Sequence, residues 1–213
     1  MKLDIKRIKA RTQAVELAAW PRIIPDRHRG TPADAGFGSS RFSSPSGRFR
    51  ILYAAQDFPT ALAEAVIRDR FVGKERRYLY RPYLESLAAT EISTVAPLAL
   101  LDLTGGSTYE LGIDTDAKGS RAHDAGQRLA EQLHDRTSIE GILFSSRLTN
   151  QPCVAVFDRA FAKLKARLLL ISFVSVRWRP NWSGFRLPSG DADPEGNSSW
   201  IRVVRTTTYP MAC

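Results

Sequence analysis

Histidine, cysteine and methionine are scarce in this 213-residue chain, with three, two and two copies. The two cysteines, Cys153 and Cys213, cannot build a disulfide framework. His28, His123 and His134 are scattered, and no His or Cys falls at metal-ligand spacing, so no metal site is expected. No stretch reaches the roughly 20 apolar residues of a membrane-spanning helix. The opening MKLDIKRIKARTQ interrupts its apolar positions with charges, unlike a secretory signal. A cytoplasmic protein with no membrane partner is therefore expected. Acidic residues are also in deficit: 22 Asp and Glu stand against 31 Lys and Arg, a formal net charge of +9. Nucleic acid, an acidic protein or a phosphate-bearing small molecule would each suit that charge. The basic residues form no arm or tract, which weakens the nucleic-acid reading. A basic, solvated surface is the plain alternative.

What is present is ordinary for a soluble globular protein: 43% hydrophobic and 25% charged residues, in a length that suits one domain with additions. Residues 1–20 have a helical look, and Pro21 and Pro25 are expected to end any regular element there. Residues 28–48 are rich in Gly, Ser, Pro and Arg and read as a surface loop, where binding residues concentrate. A buried strand over Arg50–Ala55 leads to Asp57, a helix N-cap candidate, and to a largely apolar helix over Thr60–Phe71. A second helix is expected over Tyr78–Ala89, a strand over Leu98–Leu103, and an amphipathic helix carrying Ala122, Ala125, Leu129 and Leu133. Strands follow at Ile139–Phe144, Cys153–Phe157, Arg167–Val176 and Trp200–Val204. Helices and strands mix without regular βαβ alternation, so the expected class is α+β, a compact mixed sheet with helices. The expected divisions are an N-terminal segment 1–27, a domain 28–176 and an extension 177–213.

Four residues between Arg29 and Glu64 could carry chemistry. Glu64 lies one helical turn from Ala61 and Ile67 and two from Phe71. A carboxylate in such company faces a cleft or a partner, or else pairs with Arg68 one turn on. On spacing alone the ion pair is the plainer reading. Arg29 and Arg41 flank a Gly-rich loop, and arginine forks with nearby backbone amides suit phosphate oxygens, although most loop arginines are simply solvated. Tyr53 on a buried strand is core, or a ring that stacks on a flat heterocycle. Ser146 has no His/Asp set beside it, so a nucleophilic triad has no support; it reads as a ligand-binding hydroxyl or a turn serine.

Read in order, Arg29, then GFGSSRFSSP (36–45), ILYAAQDFPTALAEAV (51–66), GILFSSR (141–147) and CVAVFDRA (153–160) resemble the RES-domain family, named for its Arg, Glu and Ser. The Arg-Phe-x-x-Pro element followed by Leu-Tyr-x-Ala-x-Asp-x-x-Thr-Ala-Leu-Ala-Glu is the specific part, and the resemblance covers roughly residues 28–160. It implies an α+β fold similar to the ADP-ribosyltransferases, an activity that cleaves or transfers from NAD⁺, and a toxin neutralised by a cognate antitoxin. That antitoxin would be a helix-turn-helix, Xre-like protein, through which alone DNA would be touched; homodimerisation stays open. Carried over by position, Arg29, Glu64 and Ser146 are the name-giving residues, with Ser145 the alternative serine and Arg22 and Arg27 the alternative arginines. Arg41 and Tyr53 match further substrate-binding positions. Where many members carry a tyrosine, this chain offers Phe37, which can stack but cannot donate a hydrogen bond. NAD⁺ would be the substrate, with no metal.

The implied chemistry is coherent. Breaking the nicotinamide–ribose bond leaves an oxocarbenium-like sugar, and the leaving group is already a cationic pyridinium. A carboxylate beside the sugar stabilises the developing charge, while arginines hold the pyrophosphate. Two other classes compete with this enzyme: a basic nucleic-acid-binding module and a catalytically inactive RES-like interaction protein.

Overall fold

In a computed structural model, residues 4–35, 39–68, 70, 78–105, 111, 123–169, 185–186, 200–202 and 204–205 are described. The central sheet contains β1 (Thr12–Val15), β3 (Ile51–Ala55), β6 (Leu98–Asp102), β7 (Gly141–Ser145) and β8 (Pro152–Phe157), in the order β1-β6-β7-β8-β3. Only the β6–β7 pair is parallel. Its crossover contains the 13-residue helix α4 (Asp124–Arg136), as a parallel connection requires. A second sheet has the order β2-β5-β9, from β2 (Trp20–Pro25), β5 (Leu87–Thr94) and β9 (Leu164–Leu169).

Side-chain alternation shows why the five-stranded sheet is covered on both faces. Cys153, Ala155 and Phe157 of β8 and Ile51 and Ala55 of β3 pack with Leu129, Ala130 and Leu133 of α4. Their alternates, Val154, Val156, Leu52 and Ala54, pack with Ile92 of β5 in the layer shared with the second sheet. Gly141 opens β7 where the chains run close: a Cβ there would lie 2.4 Å from the Ala155 carbonyl oxygen. A third cluster, Leu62, Val66, Leu79 and Leu84, seats the helical segment after β3 against β4 (Tyr78–Tyr80) and α3 (Arg81–Glu85). Smaller pairings join β4 to β11 (Trp200–Arg202) and β10 (Phe185–Arg186) to β12 (Val204–Arg205). Among the described residues no helix is long and apolar enough to cross a membrane.

The protein is α+β, as its residue pattern implies. Four local expectations need correction. The opening helix is short, α1 (Ile5–Ala10), capped by the Asp4 carboxylate, and the chain then turns into β1 and β2. Pro21 and Pro25 do not end regular structure but sit in β2, at an edge of its sheet, where a missing N–H is tolerated. Residues 4–27 thus feed one strand to the five-stranded sheet and one to the three-stranded sheet. The expected helix Tyr78–Ala89 is instead β4, one turn of α3, and the start of β5, whose buried Ala88, Ala89, Thr90 and Ile92 suit a covered strand. The helix begun at Asp57 is also composite: α2 (Phe58–Leu62) passes into a π-turn, Ala63–Ile67, and Phe71 lies outside the described residues. Of the expected strand Arg167–Val176, residues up to Leu169 belong to β9, and 170–176 lie outside the described residues.

Candidate functional site

A cavity of about 290 Å³ opens between β2, β3, the α2/π-turn segment and the loop before β3, with Arg22, Arg41, Tyr53, Glu64, Arg68 and Cys153 in its wall. Each polar residue arrives by a different route. Asp57 caps α2 by accepting the Thr60 N–H at 2.7 Å. The π-turn that follows closes Arg68 N–H onto the Ala63 carbonyl at 2.8 Å. Widening a helix by one residue re-aims the side chains around it, and such insertions are frequent at functional sites. Here Ala63 and Val66 go to the core while Glu64 borders the cavity.

Glu64 has two partners of opposite character. Its Oε1 accepts a 2.7 Å hydrogen bond from Ser146 Oγ. Its Oε2 stands 3.7 Å from an Arg68 guanidinium nitrogen. The cleft-facing carboxylate and the i,i+4 ion pair, set against each other by the sequence, coexist. Ser146 is only 3% exposed, and its oxygen also accepts from the backbone N–H groups of Leu148 (3.1 Å) and Thr149 (3.3 Å). The loop closes with Ser146 N–H on the Gln151 carbonyl and Asn150 at positive φ, 59°. With its oxygen already accepting from two backbone N–H groups, and outside the cavity wall, the hydroxyl is poorly placed to act as a nucleophile. It orients Glu64. Ser145, by contrast, ends β7 opposite Pro152.

Arg41 is 4% exposed, with its guanidinium carbon 5.9 Å from the Phe144 ring centroid. Burial lowers its pKa, and Arg147 lowers it further. Tyr53 does not offer only a face. Its phenolic oxygen accepts from Phe42 N–H and from Ser40 Oγ, both at 2.9 Å. With both acceptor positions used, its own proton remains for donation, and burial pushes its pKa up to about 12.

The structure separates the three candidate arginines. Arg29 is not in the cavity wall; its side chain is 57% exposed and lies 3.6 Å from Asp26. Arg27 bonds the His28 ring at the surface. Arg22, projecting from β2, does line the cavity. Its Nη1 is buried without a hydrogen-bond partner, and desolvation lowers its pKa to about 10. A buried guanidinium nitrogen with an unfilled donor next to a cavity is suited to an anionic ligand. Arg22, Glu64, Arg41 and Tyr53 are thus brought together, with Ser146 behind Glu64. Phe37 lies outside the described residues.

Residue order alone does not reveal Cys153 or Phe144 as wall residues, because both read as alternating core positions of adjacent strands. The Cys153 thiol, desolvated and facing the Glu64 charge, is pushed well above the ordinary thiol range, which keeps it protonated and unreactive.

Comparison with known proteins gives the family. A protein of Sinorhizobium fredii described as "Probable toxin y4kH" is 30% identical over 104 residues, 47% of this chain and 81% of that protein. A chain in the crystal structure of the M. tuberculosis MbcT–MbcA toxin–antitoxin complex shares the fold with a TM-score of 0.57 at 19% identity, covering 78% of this chain and 91% of that one. The RES domain model matches residues 19–179, which include both Arg22 and Ser146 as well as Glu64. The chain belongs to the RES domain family.

Proposed function

We propose that this protein is the toxin of a toxin–antitoxin pair and that it breaks the nicotinamide–ribose bond of NAD⁺. The toxin reading is supported by the relative described as a probable toxin and by the shared fold with a chain of a toxin–antitoxin complex. The observation that carries the chemistry is Glu64, a carboxylate fixed by Ser146 at the edge of a cavity that Arg22, Arg41 and Arg68 also line. Three guanidinium groups against one carboxylate leave that wall positive, the complement of a pyrophosphate. The cavity is at the lower end of the range for small-molecule sites, roughly 300–1,000 Å³. It suits one end of a dinucleotide, with the rest at the mouth.

In this reading Arg22 and Arg41 hold the pyrophosphate, and Arg22 takes the place that residue order offered to Arg29. The Tyr53 hydroxyl donates into the cavity, and its alanine neighbours Ala54, Ala55 and Ala61 leave room for a flat ring. The C1′–N1 bond then breaks with its electron pair passing to the ring nitrogen, so neutral nicotinamide departs without a general acid. Glu64 stabilises the cationic sugar. An acceptor adds to C1′ and loses a proton: water, inorganic phosphate or a protein side chain, each giving a product of different mass. An antitoxin that covers this cavity would silence the enzyme, and a helix-turn-helix partner is the expected form.

The test is purified protein with NAD⁺, with and without phosphate, read by product mass. Release of nicotinamide that is lost in Glu64→Gln, with its melting temperature kept, is the expected result. NAD⁺ left intact by the native protein, or consumed as fast by Glu64→Gln, would overturn the proposal.

A further inference from the structure

The loop that presents Arg41 has no regular structure of its own, yet Arg41 is buried. Its position is set from outside. On one side Tyr53 of β3 accepts the Phe42 N–H, and the Phe42 ring meets Phe144 edge to face at 5.2 Å. On the other side stands Gln127, on the buried face of α4 and only 8% exposed. Its amide nitrogen donates to the Ser40 carbonyl at 3.0 Å and lies 3.4 Å from Ser43 Oγ. Ser43 Oγ completes the tie by accepting from Ser40 N–H (2.8 Å) and donating to Ser40 C=O (2.9 Å).

We propose that Gln127 is a positioning residue for Arg41. It clamps the Ser40–Ser43 turn from the helix so that the guanidinium projects into the cavity in one orientation. Both acceptors within reach of the amide nitrogen belong to this turn. An apolar side chain would satisfy the helix's packing, as Leu129 and Leu133 do, but would remove the helix's direct tie to Ser40 and Ser43, leaving Tyr53 and the neighbouring Ser44–Glu131 hydrogen bond to hold the turn. Burying a polar amide among leucines is costly unless it is hydrogen-bonded, so its presence needs a purpose that packing does not supply. The inference rests on the reading of Arg41 as the pyrophosphate-holding group. Because that group binds ground state and transition state alike, misplacing it should raise KM and spare kcat.

Gln127→Met keeps the volume and removes the donors; Ser43→Ala breaks the same link from the loop. Inorganic pyrophosphate binding by calorimetry, NAD⁺ kinetics and melting temperature would be measured for each, alone and in an Arg41→Ala background. Both variants should weaken pyrophosphate about tenfold and raise KM for NAD⁺ similarly, with kcat within about twofold, the effect of one lost hydrogen bond to a charged site's support. In the Arg41→Ala background neither should lower affinity further. Unchanged affinity, or equal losses in both backgrounds, would overturn the inference, as would a native protein that binds no pyrophosphate. A native protein that binds pyrophosphate but spares NAD⁺ would sink the proposed reaction and leave the role of Gln127 to be decided by the binding data.

Discussion

Ser146 Oγ and Glu64 Oε1 are 2.7 Å apart, although 82 positions separate the two residues in the chain. The bond ties a β7–β8 loop to a π-turn and fixes one oxygen of the carboxylate. Removing the donor in Ser146→Ala should cost about 1.5–3 kcal/mol of transition-state stabilisation, roughly ten- to a hundredfold in kcat/KM. Glu64→Gln should cost more, on the order of a hundred- to a thousandfold, since it deletes the charge itself. Steady-state kinetics of the two variants check the order. A Ser146→Ala loss equal to or larger than that of Glu64→Gln would mean the hydroxyl touches substrate directly.

In the proposed function Arg22 trades stability for binding. Its buried, unpartnered Nη1 is a cost to the fold that an apolar side chain of similar length avoids. Arg22→Met should therefore leave the melting temperature unchanged or raised while weakening pyrophosphate at least tenfold. Arg29→Met, at an exposed site paired with Asp26, should change affinity by less than about twofold. The two variants side by side decide which arginine belongs to the site.

Gly141 is irreplaceable for steric reasons. A Cβ at 2.4 Å from a backbone carbonyl oxygen cannot be relieved by a side-chain rotation. Gly141→Ala should destabilise the protein by about 1–3 kcal/mol, lowering the melting temperature by roughly 2–12 °C for a domain of this size. An unaltered melting curve would show that β7 and β8 can part at little cost.

His134 makes stability depend on pH. It stacks on Phe49 at 4.5 Å and lies 3.7 Å from both Asp135 and Asp158, with Arg159 bonded to its carbonyl. Burial, helped by Arg159 and opposed by the two aspartates, lowers its pKa. A folded pKa below the unfolded one means that the unfolded chain binds more protons between the two values. The contribution of His134 is then complete above the unfolded pKa of about 6.5 and is lost as pH falls towards the folded value. Melting curves between pH 7.5 and 5.0 should fall less steeply for His134→Gln than for the native chain; parallel curves would exclude His134 as a source of the slope.

Much of the central layer was legible in the sequence. Ile51–Ala55, Leu98–Asp102 and Pro152–Phe157 are short apolar runs bounded by turn residues, and the buried positions of α4 recur at helical spacing. The carboxylate end of the site was legible through Asp57, whose cap starts the segment bearing Glu64. Other features depended on tertiary context. Pro21 and Pro25 hid β2, which left Arg22 as no more than an alternative to Arg29, because a proline is excluded from a strand interior but accepted at an edge, and position in the sheet is not a local property. Leu87–Thr94 carries alanines and a glutamate that suit a helix as well as a covered strand; pairing on both sides with β2 and β9 decides it. Gln127 gave no signal, since a polar residue on an amphipathic helix is usually solvated.

The cavity wall joins Arg22, from the second strand, to Cys153, from the eighth. A ribosome delivers these pieces in sequence, so the first arginine waits for most of the polypeptide before its opposite wall exists. An unfinished chain lacks the enclosure that gives Glu64 its surroundings, and a host making such a protein has the whole interval of synthesis in which it carries no completed site.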